Sequence, residues 1–397
     1  MPSLDYNNLF SHSSPDSRAY YGDGVRPQYD FGIAYPDPRT IPAMDLAEAL
    51  RLGAETEGQD LALYSGVQGY KPLREYLSAK LARDRNVTAS VDQLLLTSGA
   101  GQAIHVTMEM LLNPGDVVLV DDFTYSGALA QLRRFKGDAQ PVKTDDEGML
   151  PDVLESTIQR LLAAGRTIKL IYLVPSFQNP QGWSISLERR KAILATAQKY
   201  NLVILEDDSY CDLRYEGASI PAFRTLDEGG HVVYISTFSK TIAPGMRCGF
   251  LTASGQLLER AMACKSGGPV PLFVTLAIHR YSEQMASHIE LINDVQMRKR
   301  DAMLAGLDEH FTGKATWIRP EGGLSIWVKM KQEVDLLTIR DKIFATDNVS
   351  YMPGNRFAPD GVTGKHFMRL SYGYNTPEEI REGMGKLAAA FRREGIL

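Results

Sequence analysis

From about residue 90 to 255 the chain alternates short apolar runs with longer stretches of helical periodicity. The apolar runs cover residues 94–97, 117–120, 168–174, 202–205, 232–235 and 248–252. Helical patterns fill the intervals, at 102–112, 150–163 and 187–200, and a short amphipathic helix is expected earlier, at 44–52. Runs this continuously apolar suit strands covered on both faces, so the pattern predicts a mostly parallel sheet between layers of helices. Farther on the pattern changes. A long helical region spans 272–311, then come a strand at 324–330, a helix at 336–346, a strand at 366–371 and a final helix at 377–393. This reads as a smaller α+β unit joined to the first by the long helix.

The 397 residues exceed what one hydrophobic core usually serves. The expected division is an N-terminal arm and part of the small domain at 1–44, a large domain at 45–285 and a small C-terminal domain at 286–397. The first 40 residues are polar, with Pro, Gly and Tyr interspersed, as in an irregular arm. No internal repeat or low-complexity tract interrupts the pattern.

Composition narrows the function. Net charge is −5, with no Lys/Arg-rich run, which argues against a nucleic-acid partner. Cys211, Cys248 and Cys264 form no CxxC pair and read as reduced thiols, with no metal site. No apolar run approaches the ~20 residues that span a bilayer, and the N-terminus lacks the pattern of a signal peptide. A cytoplasmic protein without membrane contact is expected.

In an open α/β sheet, ligands bind beyond the carboxyl ends of the strands. Five of the predicted strands end in polar or glycine-rich segments: Ser98-Gly99-Ala100-Gly101-Gln102, Asp121 to Tyr125, Pro175 to Gly182, Glu206 to Tyr210, and Ser236 to Lys240. Together they deliver a glycine turn, an aromatic ring, an amide, a carboxylate and an amine. A small-residue turn opening a helix offers backbone N–H groups and the helix dipole to a phosphate. Ser239-Lys240, with Arg247 seven residues on, adds a hydroxyl and a guanidinium that could complete such a cup. At the fourth strand end, Asp208 suits the N-cap of a following helix.

These residues carry a resemblance. The segment Ser236–Phe250, STFSKTIAPGMRCGF, resembles the lysine segment of fold-type I pyridoxal-5′-phosphate (PLP) aminotransferases. So do Asn-Pro-Gln-Gly at 179–182, Glu-Asp-Asp-Ser-Tyr at 206–210, the tyrosine segment at 64–74 and Phe-Met-Arg-Leu-Ser-Tyr at 367–372. The likeness runs over roughly residues 60–375 in the family's order. It is nearest the subgroup of 2-aminoadipate and kynurenine aminotransferases and of MocR-type catalytic domains.

The resemblance implies an α/β protein of fold type I, with a mostly parallel seven-stranded sheet flanked by helices and a smaller α+β domain. Lys240 would hold PLP as a Schiff base and shuttle the α-proton. Asp207 would pair with the pyridine nitrogen. Asn179 and Tyr210 would bond the cofactor's phenolic oxygen, with Tyr210 counted as catalytic beside Lys240 and Asp207. Tyr125 would stack on the ring, and Ser98, Gly99, Ala100, Thr237, Ser239 and Arg247 would hold the phosphate. Arg369, with Asn179, would bind the substrate carboxylate. Tyr64 would reach the phosphate of a neighbouring subunit, making the unit a homodimer.

Two positions depart from the subgroup. Gly101 stands where Gln is common, and Ile33-Ala34 where paired glycines are common. The expected activity is transfer of an amino group from an L-amino acid to a 2-oxo acid. A lyase, decarboxylase or oxidase on the same scaffold is the alternative. A regulator is disfavoured, because the resemblance begins by about residue 30 and leaves no room for a helix-turn-helix module.

Overall fold

The computed structural model describes Leu9 and residues 26–397. Tyr20 and Tyr21 of the arm lie outside the described residues. In chain order the described strands begin with β1 (Tyr29–Phe31), β2 (Leu94–Thr97), β3 (Val117–Asp121) and β4 (Asp138–Val142). A two-residue pair, β5 (Thr144–Asp145) and β6 (Gly148–Met149), precedes β7 (Ile168–Leu173), β8 (Val203–Asp207), β9 (Val232–Thr237) and β10 (Gly249–Thr252). The last four are β11 (Ala315–Trp317), β12 (Ser325–Met330), β13 (Val349–Pro353) and β14 (Phe367–Ser371).

Seven strands form one sheet in the order β2-β10-β9-β8-β7-β3-β4. Neighbours pair parallel except β10, which runs antiparallel to both β2 and β9. Alternate residues of β3 point to opposite cores: Val117 and Leu119 to one, Val118 and Val120 to the other. Both faces are therefore buried, which is why these strands read as unbroken apolar runs. β4 escaped the pattern because it is an edge strand. Its residues Asp138, Ala139, Gln140 and Pro141 are half-buried or exposed, and only Val142 is buried.

The second sheet has the order β1-β13-β14-β12-β11. Here β1 pairs parallel with β13 and the other pairings are antiparallel. Tyr29 and Phe31 of β1 join a core with Ile326, Val328, Met368, Leu370, Met384 and Phe391. Thus the segment before residue 44 supplies a strand to the smaller sheet. The long helical region is two helices, Leu272–Tyr281 and Met285–Phe311, with a 3₁₀ turn at Ser282–Gln284. The first packs on the helix Ala43–Glu57 and the second on the helix Pro377–Arg393. Tyr281 and Met285, on either side of the tightened turn, are both buried.

Among the described residues no helix is long and apolar enough to cross a membrane, and no three His, Cys, Asp or Glu side chains cluster to hold a metal.

Candidate functional site

Strands β2, β3, β7, β8 and β9 run in one direction, so their carboxyl ends share a rim. The end of β8 delivers Asp207, which is buried. Its Oδ2 accepts a 2.9 Å hydrogen bond from the Tyr172 hydroxyl on neighbouring β7, and its Oδ1 accepts one from Ser209. Burial raises this carboxyl, and the two hydroxyls oppose the rise.

Asp208 is not the cap of a helix: the chain turns after it, and its carboxylate accepts bonds from Arg85 Nη2 at 2.7 Å and the Tyr234 hydroxyl at 3.2 Å. Burial works to raise Asp208, but Arg85 and Arg190 overcome it and hold the group ionised below its ordinary range. The guanidinium compensates the cost of burying the Asp208 charge.

The turn after β9 carries Lys240. Its Nζ donates to the Ala34 carbonyl at 2.9 Å and lies 5.7 Å from the centre of the Tyr210 ring. Burial, then the cations of Arg369 and Arg247, lower the amine to about 8 against the pull of Asp207. Asn179, beyond β7, donates from Nδ2 to the Tyr210 hydroxyl at 3.3 Å. Its Oδ1 accepts from Arg369 Nη1 at 2.8 Å, while Arg369 Nη2 donates to the Gly32 carbonyl at 2.6 Å. Arg369 stands on β14, so the site lies between the two sheets. Its guanidinium rests 5.0 Å from the Phe357 ring centre, and its buried Nε has no partner among the described residues.

At the other end, Ser98-Gly99-Ala100 leads from β2 into the helix Ala100–Leu111. Gly99 has φ +75°, and a Cβ there would come within 2.6 Å of Arg247 Nη2. That same Nη2 donates to the Ser98 carbonyl at 2.9 Å. A Cβ on Gly249 would sit 2.8 Å from the Gly99 carbonyl carbon, so the turn is wedged against β10. The hydroxyls of Thr237 and Ser239 are 2.9 Å apart, and Ser239 N–H donates to Thr237 Oγ1 at 3.1 Å.

Tyr125 begins the helix Ser126–Arg134 and is partly exposed. Gly127 makes room for its ring, since a Cβ there would lie 2.4 Å from Tyr125 Cζ. Tyr64 does not join this cluster. Its side chain is fully exposed, beside exposed Leu61, Leu63 and Val67.

Several contributors lay outside the sequence reading. Tyr172 sits inside a strand whose end alone drew attention, although it is the only phenol in an otherwise mostly aliphatic run. The Ala34 and Gly32 carbonyls are backbone groups and leave no residue-type signal. Beside open Gly101, the neighbouring Gln102 braces the turn: its Oε1 accepts from Ser98 N–H at 2.8 Å and its Nε2 donates to the Ser266 carbonyl at 3.1 Å.

This arrangement coincides with a known family. Its model, aminotransferase class I and II, matches residues 32–387. The chain belongs to the class I and II aminotransferases. It is 32% identical to aromatic-amino-acid aminotransferase 1 of Thermococcus litoralis, over 99% of this chain and 96% of that protein. The crystal structure of Pyrococcus horikoshii kynurenine aminotransferase, in complex with PMP, superposes with a TM-score of 0.91 at 30% identity, covering 98% of each chain. The α-aminoadipate aminotransferase of Thermus thermophilus, complexed with N-(5′-phosphopyridoxyl)-L-leucine, gives 0.90 at 27% identity, covering 98% of this chain and 99% of that one. This aminotransferase is accordingly a fold-type I enzyme of the aminoadipate and kynurenine subgroup, and it transfers amino groups with PLP.

The side chains fit that cofactor. PLP is a flat ring with a nitrogen, a phenolic oxygen, an aldehyde and a phosphate. The rim offers a carboxylate, an amide–phenol pair, a depressed amine and a cation-lined glycine turn to match. The close approach of Gly99 to Arg247 and the unpartnered Arg369 Nε are what a site built for anions requires.

Proposed function

We propose that Lys240 carries PLP and moves the substrate's α-proton, and that Asp207, Asn179, Tyr210, Tyr125, Ser98, Gly99, Ala100, Thr237, Ser239 and Arg247 hold the cofactor. Bound there, PLP supplies an aldehyde and an electron-withdrawing ring that lets the α-hydrogen of an amino acid leave as a proton. The chain supplies the rest. A Lys240 amine lowered to about 8 is in part a free base at neutral pH, able to accept a proton at Nζ and return it. Asp207, buried and held by hydroxyl groups, presents negative charge to a ring nitrogen. Asn179 and Tyr210 set one edge of the ring through their mutual bond. Arg369, pinned by Asn179 and Gly32, directs a planar cation at the α-carboxylate.

The observation that carries this reading is the cluster in which half-buried Lys240 feels buried Arg369 and Asp207 together with Arg247 at its exposed edge. The substrate is then an L-amino acid and the acceptor a 2-oxo acid. Relatives named for aromatic amino acids, kynurenine and aminoadipate support an amino-acid substrate with a sizeable side chain. We propose further that the enzyme is a cytoplasmic homodimer without nucleic-acid partners, in which Tyr64 enters the neighbouring site. Its full exposure beside Leu61, Leu63 and Val67 supports that reading. The division at residues 44 and 285 belongs to the same proposal.

The test is to incubate the PLP-loaded enzyme with phenylalanine, kynurenine or 2-aminoadipate and 2-oxoglutarate. One glutamate per 2-oxo acid formed is expected. Release of ammonia, carbon dioxide or peroxide without glutamate would refute amino-group transfer as the main outcome.

A further inference from the structure

Strand β7 is aliphatic except at Lys169 and Tyr172. Tyr172 is wholly buried in the core beneath the site, beside Leu170 and Leu205. A buried phenol needs a polar partner, and a core position without a task is better served by Leu or Phe. In the parallel register Tyr172 faces Leu205 of β8, and its ring reaches two residues onward so that its hydroxyl meets Asp207 Oδ2 at 2.9 Å. From the other side Ser209 donates to Oδ1. Each oxygen of one carboxylate is thus tied by one hydroxyl.

We infer that Tyr172 and Ser209 are positioning residues, which fix the rotation of the Asp207 carboxylate and keep it ionised toward the ring nitrogen of PLP. The inference rests on the proposed role of Asp207. An ionised carboxylate has about four acceptor sites, so two hydroxyls leave room for a ring N–H. Burial works to neutralise Asp207, and the hydroxyl bonds favour its charged form. Without them the carboxyl would be free to turn and to take up a proton, and a protonated carboxyl pairs poorly with a protonated ring.

The test measures equilibrium binding of two probes by fluorescence quenching: PLP, and its 1-deaza analogue, in which a C–H replaces the ring nitrogen. The proteins are wild type, Tyr172→Phe, Ser209→Ala and Asp207→Asn. Phe fills the same space, and Ser209 is only half-buried, so one of the two variants stays informative if the other folds badly. Tyr172→Phe and Ser209→Ala are each expected to weaken PLP by about tenfold, the size of one lost bond to a charged group. Both should leave the deaza analogue within about twofold of wild type. Equal weakening of both probes would show a merely structural role and overturn the inference. So would unchanged PLP affinity in both variants. If Asp207→Asn itself treats the two probes alike, the assignment of Asp207 fails and this inference with it. If Asp207→Asn discriminates and the hydroxyl variants do not, this inference fails alone.

Discussion

Replacing Gly99 with Ala should cripple cofactor binding, whereas the same change two residues away should not. At φ +75° and ψ 173°, Gly99 occupies a region that is essentially closed to residues with a Cβ, at a cost of about 1–3 kcal/mol. The added methyl would also sit 2.6 Å from Arg247 Nη2 and 3.1 Å from its Cζ. The guanidinium must retreat, and the 2.9 Å bond that holds it to the Ser98 carbonyl would stretch or break. A hydrogen bond to a charged group contributes about 1.5–3 kcal/mol. Displacing Arg247 from a phosphate it is placed to meet should therefore weaken PLP by at least about tenfold, one decade per 1.4 kcal/mol. Gly101 has ordinary φ and open space around its Cβ position, and it lies in the first turn of the helix Ala100–Leu111. Ala is a better helix former than Gly by about 1 kcal/mol. Gly101→Ala should leave PLP affinity unchanged and melting equal or higher. Fluorescence titration with PLP, run beside competition by inorganic phosphate, reads both effects. A Gly99→Ala protein that binds PLP as wild type does would refute the idea that this turn and Arg247 form the phosphate site.

The depressed amine of Lys240 gives two pH signatures. Its lowering from 10.5 to about 8 makes the free amine roughly 300 times more abundant at pH 7 than in an ordinary lysine, so the rate of PLP capture should rise with pH and level off just above 8. A rate still climbing toward pH 10 would contradict this. For the apoprotein the sign follows from proton counting: between about 8 and 10.5 the unfolded chain holds a proton that native Lys240 does not, so this group adds stability as pH rises through that window. In denaturant unfolding, the stability of wild type relative to Lys240→Met should rise with pH across that window, since the other lowered lysines contribute equally to both. Arg369→Lys keeps the charge but loses the planar fork held by Asn179 and Gly32. The KM for amino acid should rise about 10- to 100-fold, with PLP capture unchanged; an unaltered KM would remove Arg369 from the carboxylate site.

The legible parts of this fold are those where physics leaves a pattern in residue types. Strands β3, β7, β8 and β9 are buried on both faces and announce themselves as apolar runs. β4 lies at an edge, half-exposed, and its Pro141 and Gln140 hide it. β1 and β11 are three residues long, too short for periodicity to show, and Ser350 and Pro353 break the apolar run of β13. The site followed the same divide. Lys240, Asp207 and Asn179 come from different strand ends, which the structure gathers because parallel strands open on one rim, while Arg369 comes from within β14 of the second sheet. Backbone carbonyls such as those of Gly32 and Ala34 carry no residue-type signature. Asp208 misled because a carboxylate beyond a strand end suits a helix cap, and only the fold reveals Arg85 arriving from a distant helix.

The account stands most directly on which amine takes the cofactor. Among the described residues three lysines, half-buried Lys240 and buried Lys265 and Lys299, have amines lowered to about 8. Lys299 is paired with Asp37 at 2.6 Å, and Lys265 donates to the Val67 carbonyl at 2.6 Å. Borohydride reduction of the PLP-loaded protein, followed by peptide mass spectrometry, distinguishes them. A single phosphopyridoxyl group on the peptide carrying Lys240 is the expected result. The same group on Lys265 or Lys299 with Lys240 unmodified, or no stable adduct at all, would contradict it.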